Sequence, residues 1–136
     1  MRRKTAEAVR DLSEFIGRNQ MRVLAGLCRG EEGEWFREKL RELAEQVRSM
    51  PMTYETDGEG DAAVAHLHYF TPSMDFYITE RDAEPEQHQA FGLVAGYETE
   101  LGYISLREIL ACGAELDLHW IPKPVGEIRG ASASAW

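Results

Sequence analysis

A chain of 136 residues and 15.4 kDa has room for one compact domain but not for two independent cores. Its 43% hydrophobic and 29% charged residues exclude a disordered or collagen-like chain, no apolar run approaches the roughly 18–20 residues of a membrane span, and two cysteines are too few for a disulfide framework or a cysteine-paired zinc site. The net charge of −9 divides unevenly: residues 1–50 carry 11 basic and 9 acidic side chains, whereas residues 51–136 carry 4 and 15, a balance that repels nucleic acid and anionic membranes.

Basic residues at Met1–Lys4 have no apolar segment behind them, so the N-terminus does not read as a secretory signal. The first 50 residues read as a helical layer. Ala6, Val9, Leu12 and Ile16 fall at helical spacing, Gly17 and Asn19 break the pattern, and Met21, Leu24, Ala25 and Cys28 form a second stripe before Gly30. Phe36, Leu40, Leu43, Val47 and Met50 form a third, with Glu31, Glu32 and Glu34 at its start, Arg48 near its end and Pro51 as the stop. That heptad-like stripe offers a homodimer seam through Phe36, Leu40, Leu43 and Val47, or packs on the domain's own sheet.

Beyond an acidic loop at 53–61 the period changes to two. Ala63, Ala65, Leu67 and Tyr69 alternate with Val64, His66, His68 and Phe70, and after Thr71-Pro72-Ser73 the residues Met74, Phe76 and Ile78 alternate with Asp75, Tyr77 and Thr79, which predicts a hairpin. Strands are predicted at 90–95 and 101–104. Ser105-Leu106-Arg107-Glu108 is a capping box opening a short helix to Cys112. A last strand is predicted over 116–121, closed by Pro122 and Pro124, and residues 131–136 read as a frayed tail. The expected fold is α+β: a single domain over 1–130, with N-terminal helices on one face of a small, mostly antiparallel sheet spanning 62–121 and a short helix inserted before the last strand.

From about Leu67 to Ile128 several stretches recur in order: Tyr69-Phe70-Thr71-Pro72, Tyr77-Ile78-Thr79-Glu80-Arg81-Asp82, Phe91-Gly92-Leu93, Glu100-Leu101-Gly102-Tyr103-Ile104-Ser105-Leu106-Arg107-Glu108 and Asp117-Leu118-His119-Trp120. This segment, a little under half of the chain, resembles the family catalogued as domain of unknown function 2958. The resemblance implies a cytoplasmic bacterial protein carried by a plasmid, phage or integrated element. It implies no catalytic residue and no cofactor.

Three constellations can carry chemistry. His66 and His68 share a strand face and His119 lies on another expected strand, so three imidazoles with a nearby carboxylate such as Glu80 or Asp82 would suit a transition metal if they converged. Asp117 and His119 share a face and would form a His–carboxylate pair, without a nucleophile to make a triad. Asp57, Glu59, Asp61, Glu84, Glu86, Glu98 and Glu100 form an acidic set that would meet a basic protein, such as a nucleic-acid-binding or defence protein; acids in loops also serve solubility alone. Aromatic residues crowd the sheet, but without the Lys and Arg of a base-stacking surface they read as core. Gly92 inside a strand marks a bulge or a close backbone approach. The sequence therefore reads as a non-enzymatic accessory protein that binds another protein, with a metal-dependent enzyme or an oligomerising module as the alternatives.

Overall fold

The computed structural model describes the backbone of residues 2–134 and the side chains of residues 4–130. Three helices come first: α1 (Arg2–Asp11), α2 (Arg18–Cys28) and α3 (Gly33–Ser49). A single 3-10 turn at Gly60–Ala62 leads into β1 (Val64–Ala65), β2 (Leu67–Phe70), β3 (Asp75–Glu80), β4 (Ala90–Ala95) and β5 (Thr99–Ile104), followed by α4 (Leu106–Ala111), β6 (Glu115–Leu116), β7 (Lys123–Pro124) and α5 (Val125–Ser134). The main sheet is antiparallel in the order β5-β4-β3-β2-β6, and β1 pairs with β7 apart from it. The fold is α+β, as the periodicities indicate.

Each helix forms where an apolar face can be buried. In α3, Leu40, Leu43, Ala44 and Val47 are buried, and Phe36 is half-buried, against the other helices and the sheet. The stripe thus packs inside one chain. The helix ends at Met50, whose ψ of 154° is the extended conformation required of a residue before proline. Ala8 on α1 and Leu12 just beyond its end face inward while Ala6 turns outward, a correction of the expected stripe. Tyr69, fully buried on β2, donates its hydroxyl to the Phe15 carbonyl and ties the helical layer to the sheet.

The strands alternate as their sequence does. Leu67, Tyr69, Phe76, Ile78, Ala90 and Ile104 face the helices. The opposite face carries His68, Tyr77, Leu93 and Leu101 in one cross-strand row. Trp120, Val125 and Ile128 cover part of that row, so the sheet is packed on both sides rather than one.

Two expectations at the C-terminal end are corrected. The strand predicted over 116–121 stops at Leu116, because the Asp117 carboxylate accepts the His119 amide at 2.9 Å and bends the chain. Beyond Pro124 the chain forms α5, anchored by Val125 and Ile128 three residues apart; 131–134 of the expected tail belong to that helix, and 135–136 lie outside the described residues.

Candidate functional site

The seven acids singled out in the sequence are all exposed, but they do not form one patch. Asp57 and Glu59 lie in the loop beside the C-terminal end of β3, and Glu84 and Glu86 lie in the loop that leaves that same end. Glu98 and Glu100 belong to the β4–β5 hairpin at the other end of the sheet. Asp61 faces α5 and meets Arg129 at 3.4 Å. Helix α3 spends its acids differently. Glu34 pairs with Arg37, Glu38 with Arg41, Glu42 with Lys39 and Glu45 with Arg48, all three residues apart. Among the described residues, Asp57, Glu59, Glu84, Glu86, Glu98 and Glu100 form no ion pair.

The C-terminal end of β3 owes its shape to a bulge. Ile78 pairs with Gly92 and Glu80 with Phe91, so β3 carries one extra residue between these pairs. Plain alternation would send Glu80 to the helical face; the bulge re-aims it to the opposite face, beside Phe91. Gly92 is required there, because a Cβ on it would stand 1.9 Å from the Tyr77 carbonyl oxygen. Glu80, 4% exposed, accepts hydrogen bonds from the amides of Tyr54 at 2.8 Å and Thr56 at 2.9 Å and from the Thr56 hydroxyl. It therefore holds the 52–58 loop over the sheet. Tyr54 takes a left-handed φ of 71°, a costly conformation for a bulky residue, and its side chain is hydrogen-bonded to that of Tyr103 on β5. The pKa of Tyr103 is raised first by that bond, with the charges of Glu80 and Asp57 adding to it. Loop and sheet form a half-open cavity of about 420 Å³ lined by Tyr54, Phe91, Leu101 and Tyr103 together with Glu80 and Asp57. Asp82, the next acid in the chain, is spent on structure: its carboxylate accepts the Glu84 and Gln89 amides at 3.1 and 3.0 Å.

The histidines do not converge. His68 stands between two carboxylates, Nδ1 at 2.9 Å from Asp117 and Nε2 at 2.7 Å from Asp75, with its ring stacked on Tyr77 at 4.6 Å. Both ring nitrogens are thereby used, and neither is left for a metal. His66 is half-buried, which lowers its pKa, and His119 is exposed and leans on Trp35 at 5.6 Å. Among the described residues no group of three or more His, Cys, Asp or Glu side chains is placed to hold a metal ion. The metal set His66, His68 and His119 is corrected on this geometry. The carboxylate partner of a histidine is also reassigned: Asp117 serves His68, not His119, because the turn at 117–119 replaces the expected strand. Burial pushes the Cys28 thiol up despite Arg37, Arg29 and Arg41, so it is not an activated nucleophile.

The sequence signals for this site were partial. Gly92 marked the bulge, but its consequence for Glu80 required the pairing register. Tyr54 carried no motif at all.

Comparison with known proteins finds no matching family model, curated protein or solved structure. Among the described residues no helix is long and apolar enough to cross a membrane.

Proposed function

We propose that this chain is a non-enzymatic accessory protein of a bacterial mobile element, acting in the cytoplasm by binding a basic protein such as a nucleic-acid-binding or defence protein. The mobile-element setting rests on the sequence resemblance of residues 67–128 described above. The observation that supports binding is the contrast between α3 and one end of the sheet. Helix α3 pairs Glu34, Glu38, Glu42 and Glu45 with its own cations, whereas Asp57, Glu59, Glu84 and Glu86 stand exposed, without ion pairs, around one end of the sheet. Exposed tyrosines accompany them: Tyr54 at 65% and Tyr103 at 57%. Aromatic rings with a polar tip beside unpaired charge suit a protein interface, where the rings supply buried area and the acids steer a basic partner.

The test is affinity capture from the host with the natural chain and with a Glu59→Lys, Glu84→Lys, Glu86→Lys variant in parallel. The expected result is a stoichiometric basic protein held by the natural chain, released by raised salt and not held by the variant. Equal capture by both chains, or no stoichiometric partner, would overturn the reading.

A further inference from the structure

We propose that the cavity between the 52–58 loop and the sheet is a receptor for an alkylated ammonium group, free or carried on a lysine side chain. The inference concerns a specific small-ligand site and does not depend on the basic partner proposed above.

The walls are aromatic. Phe91 and Tyr103 meet edge to face, with centroids 5.4 Å apart and planes at 77°, which makes two walls of a corner. Tyr54, reaching across from the loop to Tyr103, supplies a third. Aromatic faces carry the negative part of the ring quadrupole and attract cations held against them. The border carries Glu80 and Asp57, and no lining residue is basic. The cavity is thus negative in its π-faces and in its carboxylates, with no countercharge of its own. Its volume of about 420 Å³ lies within the range of small-ligand sites, about 300–1,000 Å³.

The donor and acceptor inventory narrows the class. A carboxylate offers about four acceptor positions. Glu80 already spends three of them on Tyr54 and Thr56. It can therefore supply charge but few new hydrogen bonds. A primary ammonium brings three N–H donors, for which the aromatic walls offer no acceptor and only Asp57 a free carboxylate, so it would bind there at a desolvation cost. A trimethylammonium group brings none, is diffuse in charge and presents methyl groups to rings. Sequence and fold combine to build this: the bulge opposite Gly92 delivers Glu80, and the left-handed Tyr54 delivers the third ring.

Binding would be followed by NMR on the intact chain, using choline, a short peptide carrying trimethyllysine, and 3,3-dimethylbutanol as the neutral isostere of choline. Saturable shifts of the Tyr54, Phe91 and Tyr103 ring signals with choline or the peptide are expected, with 3,3-dimethylbutanol at least about tenfold weaker. Tyr103→Leu should abolish the shifts, while Tyr97→Leu, an exposed tyrosine outside the cavity, should leave them unchanged. Tighter binding of the peptide than of choline would assign the group to a protein side chain; equal binding would assign it to a free small molecule. No saturable shift below about 10 mM with either cation, or equal binding of the neutral isostere, would overturn the proposal. Loss of basic-protein capture in the triple Lys variant, with choline binding retained, would separate this site from the interface.

Discussion

The side-chain amide of Gln20 on α2 pairs with both backbone groups of Leu116 on β6: Gln20 Nε2 donates to the Leu116 carbonyl at 2.8 Å, and the Leu116 amide donates to Gln20 Oε1 at 2.8 Å. A side chain here takes the place of a neighbouring strand. β6 is only two residues long and sits at the edge of the sheet, where unpaired backbone groups would invite association with another chain. The contact joins residues 96 positions apart and docks the helical layer on that edge.

Gln20→Ala is therefore expected to cost about 1–3 kcal/mol, because it strands the amide and carbonyl of a buried residue. Gln20→Glu should cost at least as much, since a carboxylate cannot donate to the Leu116 carbonyl. Urea unfolding midpoints of the two variants against the parent check this, and increased self-association of Gln20→Ala would follow from the opened edge. A change below about 0.5 kcal/mol for both would show that water satisfies Leu116 equally well.

Gly92 admits no side chain. With a Cβ 1.9 Å from the Tyr77 carbonyl oxygen and 3.0 Å from Ile78 Cα, the clash is with backbone, which cannot rotate away. Gly92→Ala should destabilise the fold by about 3 kcal/mol or more, the upper end of overpacking costs. Gly102, its cross-strand partner on β5, has open space where a Cβ would go, so Gly102→Ala is the control and should be nearly neutral. Thermal melts of the pair separate a steric cause from a general intolerance of the strand. Similar losses in both would refute the steric account.

His68 is fixed from two sides, by Asp117 and Asp75, and from above by Tyr77. A positioned residue of this kind holds the turn after β6 against the sheet, and Trp120 completes it with an Nε1–H bond to the Ala65 carbonyl at 3.0 Å. His68→Ala is expected to cost about 1–2 kcal/mol, since both hydrogen bonds are partly exposed to solvent. In a double-mutant cycle His68→Ala with Asp117→Asn should be less than additive, as two partners of one bond are. Strict additivity would show that the 2.9 Å contact carries no coupling energy.

What the sequence revealed follows from how local each signal is. The capping box needs four consecutive residues, and the Ser105 hydroxyl does accept the Glu108 amide at 3.2 Å. Strand β4 reads from alternation within six residues. The α3 stripe needs only a helical period, though its use as core rather than seam depends on α1 and α2. By contrast, Asp117 and His68 lie 49 positions apart, and no spacing rule pairs them before strand order is known. Glu80 would face the core in an unbroken ladder, and only the pairing register turns it to the other face. α5 is masked by its two glycines and two serines, although Pro124 before it, Glu127 in its first turn and Val125 with Ile128 are helix signals.

Tyr69 gives the fold a defined alkaline limit. Its phenol is wholly buried, and burial raises its pKa far above the ordinary 10.0. In the unfolded chain the phenol loses its proton near pH 10, whereas in the folded chain it keeps it, bonded to the Phe15 carbonyl. Above pH 10 the folded state thus binds more protons than the unfolded state, and stability falls as pH rises, by about 1.4 kcal/mol per pH unit for one such group. Below pH 10 this contribution is fully present. Tyr69→Phe should lower stability at neutral pH by about 1 kcal/mol, through loss of the bond and a carbonyl left without it. Between pH 10 and 11 the same variant should lose stability less steeply than the parent, so that the two unfolding curves converge. Urea titrations across pH 8–11 would show the convergence, and parallel curves over that range would place the alkaline limit in another group.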